Sequence, residues 1–430
     1  MERDRRDSID LGTMNITQLF NKLFFPTLIG MVLTATITIT DGIFVGRGIG
    51  SDGLAAINIA APLFMITTGL ALMFGVGASV VASIHLSQGR TKAANINITQ
   101  AFIVASLTMM LITVLVMFFC TQTALIFGST PRLLPLVKDY IYFIAPSFVF
   151  LLLESIGLFI IRLDGSPNYA MMCSAIAAVL NIILDYVFIF PLQGGLIGAA
   201  LASSVSITVG GILVLLYMFR YSKTLKFYRL KMSIKSLTVR NIGSQIKVGS
   251  SALLGEVAIA MMILIGNYVF INMLGEEGVA AFSVACYCYP IVFMINNAVA
   301  QSAQPIISYN YGNGNYLRVK HAFTLSLRVG LIGGILTSVV MIFFSRYVIA
   351  MFLDPHCEAY LIAIKGMPCF ALGFMFFAFN IVCIGYYQSI ERSKIAMMFA
   401  ILRGFLFLAM TFWLLPKMWG NIGIWLSVPF

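Results

Sequence analysis

The chain repeats itself at a constant offset of 225 residues. Lys22 aligns with Lys247, and Gly30 with Gly255. The segment Gly50-Ser-Asp-Gly53-Leu-Ala55-Ala56 aligns with Gly275-Glu-Glu-Gly278-Val-Ala280-Ala281. Gly89 aligns with Gly314, Pro191 with Pro416, and Gly195-Leu-Ile-Gly198 with Gly420-Asn-Ile-Gly423. One pair of glycines arises by chance; one register kept across two half-chains does not. A fold built this way has two similar halves, and its functional site is expected in or between them.

The solvent of those halves is lipid. Hydrophobic residues make up 60% of the chain, charged residues 10%, and the mean hydropathy is +0.97. A soluble domain carries about 25% charged residues and could not hide this much apolar surface. Crossing the hydrocarbon takes about 20 apolar residues in a helix. Such runs fall at 24–46, 54–84, 96–120, 139–161, 169–191 and 195–219 in the first half (helices 1 to 6). In the second they fall at 247–272, 279–309, 321–345, 360–390 and 395–416 (helices 7 to 11), and a twelfth begins at Gly420. The expected fold is an all-α polytopic membrane protein of twelve transmembrane helices. They form two six-helix lobes, residues 1–219 and 248–430, joined by a basic linker at 220–247. Six helices per lobe make the repeat parallel, with both halves entering the membrane from one side. By the repeat, the last helix is expected to be truncated, its natural end lying about fifteen residues past Phe430.

Basic residues set the orientation. With the N-terminus inside, nineteen Lys and Arg fall in cytoplasmic segments and six in outer loops. The net charge of +11 therefore reads as positive-inside bias in a multi-pass protein of the cell (inner) membrane, not as a nucleic-acid surface. The seven cysteines form no CxxC pair, so neither a disulfide framework nor a zinc site is indicated. The charged start, residues 1–10, lacks the apolar core of a cleaved signal peptide. No HExxH, GxSxG or Walker A loop is present, and the three histidines are scattered, so no enzyme and no cofactor are expected. Without a nucleotide-binding domain, the energy for any transport comes from an ion gradient or a partner. The chain is expected to act as a monomer in contact with membrane lipid.

Carboxylates within apolar helices are costly and point to function. Four occur: Asp41, Glu154, Asp185 and Glu256. Asp41 lies seventeen residues into helix 1 and Asp185 sixteen into helix 5. Both helices run outward, so at about 1.5 Å per residue both carboxylates reach the same depth. Asn181 stands one turn before Asp185 on the same helix face, and Ser203 enters helix 6 toward that level. Two carboxylates, an amide and a hydroxyl form an oxygen-rich set suited to Na+, or to H+ carried on a carboxylate. Glu256 and Glu154 are candidates for a substrate or proton group or for pairing with a buried cation, Arg403 in helix 11 being one. A structural polar network holding the helices together is the plainer alternative.

Several segments in order resemble the multidrug and toxic-compound extrusion (MATE) family. They are Pro26 to Asp41, with Thr40-Asp41-Gly-Ile-Phe-Val-Gly; Gly50-Ser-Asp-Gly-Leu-Ala-Ala; Asn181-Ile-Ile-Leu-Asp185; and Gly198-Ala-Ala-Leu-Ala-Ser203. In the second half they are Gln304-Pro-Ile-Ile-Ser-Tyr-Asn-Tyr-Gly312, and Arg403 before Pro416. The resemblance spans nearly the whole chain. It implies secondary active antiport by alternating access, exporting organic cations or amphipathic drugs and metabolites in exchange for Na+ or H+. It also implies an N-lobe cation site at Asp41, Asn181, Asp185 and Ser203, with serine where the family usually has threonine. Helix 10 carries no Asp or Glu between residues 360 and 390, so the second lobe is not expected to hold the coupling ion. The alternative is a flippase for a lipid-linked precursor, which shares the architecture.

Overall fold

The computed structural model describes residues 9–230 and 235–429. Among them every regular element is helical, and ten helices are long and apolar enough to cross a membrane. In chain order, helix 1 is Ile16–Gly48, helix 2 Ser51–Ser87 and helix 3 Thr91–Phe118. Helix 4 is Leu134–Leu163, helix 5 Pro167–Ile189 and helix 6 Gly195–Tyr221. Helix 7 is Leu237–Gly275 and continues across a kink into helix 8 at 276–312. Helix 9 is Tyr316–Ala350 and helix 10 Glu358–Ser389. Helix 11 covers 393–419, and helix 12 starts at a kink at Gly420 and runs to Leu426.

The repeat is written into the backbone as well as the sequence. Gly50 and Gly275 have φ of 93° and 68°, Gly89 and Gly314 have 71° and 74°, and Gly195 and Gly420 both have 55°. These pairs stand at the turns into helices 2 and 8, 3 and 9, and 6 and 12. Only glycine enters that left-handed region without cost, so at these three pairs of positions the turns require the glycine that both halves carry. Helix 1 starts at Asn15, whose side-chain oxygen accepts from Thr17 and Gln18 N–H; Asn315 caps helix 9 through Arg318 N–H. Pro146 cannot donate an N–H, and helix 4 tightens there into a 3-10 turn at Ala145–Ser147.

Large apolar side chains such as Leu107, Phe118, Phe343 and Tyr347 face outward, as a lipid-solvated bundle requires. The halves meet through helices 1 and 2 of one and helices 7 and 8 of the other. Their union lies toward one end, here called the linker end because it carries the N-terminal segment and the linker. There the first core extends from helices 1 to 6 into Val299, Ala303 and Ile306 of helix 8, while a separate core fills the second half. Val76, Val80 and Ile84 of helix 2 pack with Phe159 of helix 4 and, across the seam, with Val248 of helix 7. The linker itself is pinned. Asp164 accepts hydrogen bonds from the Lys223, Thr224 and Leu225 N–H groups and from the Tyr217 hydroxyl, and Tyr228 N–H donates to Thr99. Helix 7, from Leu237, begins inside the 220–247 segment.

Candidate functional site

Helix 5 packs between helices 1 and 6, which brings together the four residues singled out in the first half. Asn181 Nδ2 donates to Ser203 Oγ at 3.3 Å, and Ser203 Oγ donates to Asp41 Oδ2 at 3.4 Å. Asn181 and Asp185 sit one helical turn apart on the buried face of helix 5, Asp185 with no exposed surface. The Asp41 and Asp185 carboxylates lie close enough to act on one another. Among the described residues, Asp41 Oδ1, Asn181 Oδ1 and both Asp185 oxygens have no donor. Four buried acceptors without donors, three of them carboxylate oxygens, are expensive in an apolar interior. A proton or a cation resolves that cost, because either supplies the positive partner the cluster lacks. The oxygen set matches a hard monovalent cation, with two anionic and two neutral ligands.

Tyr140, buried on helix 4, stands within the field of both aspartates and was not found from the sequence. Nothing in its spacing distinguishes it from the other aromatic residues of an apolar run. Glu154 lies elsewhere. It faces helix 6 at Gly210, where its carboxylate fills the space that a side chain at that position would need.

The second half holds the other candidates. Glu256 of helix 7 is 9% exposed and packs against Gly69 of helix 2. Helix 11 opens into a π-helical turn at Leu402–Phe407, which carries Arg403. Arg403 and Glu256 both line a cavity of about 70 Å³ between helices 2, 7, 8, 10 and 11. The pairing of Arg403 with Glu154 or Glu256, one of the alternatives the sequence offers, does not occur among the described residues. The π turn instead lays the guanidinium over the Phe377 ring, 4.9 Å from its centroid, and leaves Nη1 without an acceptor.

A third group of polar residues joins the halves at the linker end. Arg162 lies 6% exposed, donates to Gln301 at 2.9 Å and stacks on Phe159. The sequence places it among loop cations; a guanidinium at a helix end can instead bury its stem and reach across a seam. The Gln245 amide has the same use: its Nε2 donates to the carbonyl and side-chain oxygens of Asn97. Asn241 donates to Gln100, and Gln304 to the Val76 carbonyl. Arg318 donates to Asn310 and to the Leu11 and Met14 carbonyls, holding the N-terminal segment under helix 8. Gln304 and Asn310 belong to a motif quoted above, so part of this seam was visible in the sequence without its role.

The family model described as MatE matches residues 26–187 and 252–413, one stretch in each half. The chain is 25% identical over 383 residues to the FAD transporter of Shewanella oneidensis, covering 85% of this chain and 81% of that one. It is 26% identical over 291 residues to the multidrug export protein MepA of Staphylococcus haemolyticus, covering 66% of this chain and 62% of that one. It superposes with a TM-score of 0.91 and 20% identity on a multidrug resistance MATE family transporter of the MOP superfamily solved in an outward-facing conformation, covering 100% of this chain and 95% of that one.

Proposed function

Because the chain belongs to the MATE family of transporters, we propose that it exports amphipathic organic compounds by alternating access in exchange for Na+ or H+. The coupling ion binds in the first half at Asp41, Asn181, Asp185 and Ser203. One observation carries this reading: two buried carboxylates converge with an amide and a hydroxyl, and four of their oxygens lack a donor. A cation entering the cluster neutralises the carboxylates and draws helices 1, 5 and 6 together. A proton does the same by letting one carboxyl donate to its neighbour. Either ion then binds one arrangement of the halves better than the other, and that difference is what lets a gradient bias transport.

The linker end is the cytoplasmic end in this reading, as the basic residues there favour. The polar seam and the Val76, Val80, Ile84 cluster close that end, so the substrate path opens to the far side. The multidrug export protein among the relatives supports small organic compounds as cargo.

The test is efflux of a fluorescent amphipathic compound from proteoliposomes, with sodium and pH gradients imposed separately. Export is expected to follow one of the two gradients. Asp41→Asn is expected to abolish gradient-driven export while the protein stays folded in the membrane. Full gradient-driven export by purified Asp41→Asn protein would remove Asp41 from the ion site.

A further inference from the structure

The first-half cluster leaves Glu256 and Arg403 without a role, yet both line one cavity, and among the described residues no ion pair closes between them. Arg403 Nη1 is buried and has no acceptor among the described residues. Opposite charges on one wall of a low-dielectric site attract strongly, and an isolated buried charge is costly. Each is engaged elsewhere. Glu256 is fixed where helix 7 meets Gly69 of helix 2, and Arg403 is drawn by its π turn onto Phe377. Single-turn π segments of this kind recur at functional sites, where they re-aim a side chain. The cavity they both line, about 70 Å³, holds roughly five water-sized groups. That suits a small head group and not a whole drug-sized compound.

We propose that this cavity is the head-group site for a zwitterionic substrate, with the substrate's ammonium on Glu256 and its carboxylate or phosphate on Arg403. The inference rests on the exporter reading and names the substrate class. A cation alone meets Glu256 but leaves the guanidinium unpaired; an anion alone does the reverse. A head carrying both charges satisfies both side chains, and Arg403 can take an oxyanion through two parallel N–H groups. Leu72, Phe293 and Ile381 offer apolar walls for the body of the molecule. Helix 2 of one half and helices 7, 8, 10 and 11 of the other all border the site. A ligand seated there touches both halves and binds differently when they move apart. The same chemistry is carried by a soluble amino-acid-like amphiphile and by an aminophospholipid.

The experiment measures binding, without any gradient, to the full chain in phosphatidylglycerol nanodiscs by dansyl fluorescence anisotropy. Three probes share one aromatic body: Nε-dansyl-lysine carries both charges, dansylcadaverine only the ammonium, and N-dansyl-6-aminohexanoate only the carboxylate. Dansyl-lysine is expected to bind about tenfold or more tightly than either of the others. Arg403→Gln should erase its advantage over dansylcadaverine, and Glu256→Gln its advantage over the aminohexanoate. Displacement of dansyl-lysine by phosphatidylethanolamine mixed into the nanodisc supports the site with a lipid as its source. Retention supports it with a soluble compound. Equal binding of all three probes by the unmodified chain overturns the proposal, as does tightest binding of the anion or the cation. The unmodified ranking needs no variant, so a variant that fails to fold leaves the test intact. Because no gradient is used, failure here says nothing against ion-coupled export, and normal export by Asp41→Asn says nothing against this site.

Discussion

Replacing Gly249 by alanine should pry the halves apart at the linker end. Helices 2 and 7 cross there with almost no space between their backbones. A Cβ on Gly249 would fall on the Met73 carbonyl, and one on Gly77 would fall on the Gln245 carbonyl. Small residues at such crossings are what let membrane helices approach closely. A side-chain tip can swing away from a new methyl group, but a backbone carbonyl cannot, so the helices must separate. Overpacking of this kind costs about 1–3 kcal/mol. If the cost falls on this sealed arrangement alone, its population drops roughly 5- to 150-fold relative to the alternative. The readout is a cysteine at Val80, a position with no exposed surface in the seal. All native cysteines but Cys173 are replaced, and an impermeant maleimide is added from the linker side. Labelling of Val80→Cys should accelerate within that range in the Gly249→Ala background. Gly243→Ala, on the same helix with nothing within 4 Å of the new methyl, should leave it unchanged. Cys173, buried in the first half, should stay protected and so report that the fold is intact. Equal labelling rates in the Gly249→Ala and Gly243→Ala proteins would refute the reasoning.

Asn181→Ala and Ser203→Ala should each raise the ion concentration for half-maximal export by about tenfold, since each removes one neutral oxygen from the cluster. Substrate affinity should change far less, and a shift confined to substrate affinity would argue against ion ligation. Arg318→Gln should free the N-terminal segment by removing charge-assisted hydrogen bonds to the Leu11 and Met14 carbonyls, each worth about 1.5–3 kcal/mol. Amide exchange over residues 11–14 should then speed up, while the core of helix 3 keeps its protection. Outside the membrane, the Thr13 hydroxyl, with the Gly12 and Thr13 N–H groups, holds the Asp10 carboxyl below its ordinary value of 3.8. A depressed folded value stabilises the turn at Gly12 above the ordinary value, and that contribution is lost as pH falls through the folded one. A carbon-13 titration of Asp10 should show a midpoint below 3.8 that rises in Thr13→Val; a midpoint at or above 3.8 would count against this turn.

The arrangement of the transmembrane helices was legible because its cause is local. Lipid demands long apolar helices, and a duplicated chain must place its left-handed glycines at the same points of both halves. Thus the repeat pairs Gly50 with Gly275, Gly89 with Gly314 and Gly195 with Gly420, and the turns fall on those glycines. The depth of Asp41 and Asp185 was legible for the same reason, since rise per residue converts sequence position to height. Height alone, however, says nothing about which helix faces which. The contact of Ser203 with Asp41 and Asn181 required helix 5 to pack between helices 1 and 6, and Tyr140 joined them only through the packing of helix 4. Arg162 and Arg318 read as loop cations because composition cannot distinguish a basic residue in water from one whose stem is buried and whose head crosses a seam. The separation of Arg403 from Glu256 was beyond the sequence as well. It depends on a π turn and on the position of Phe377, both consequences of packing among helices distant along the chain. Periodicity and depth follow from the one-dimensional chain in its solvent; partners follow from which faces meet, and only the tertiary structure decides that.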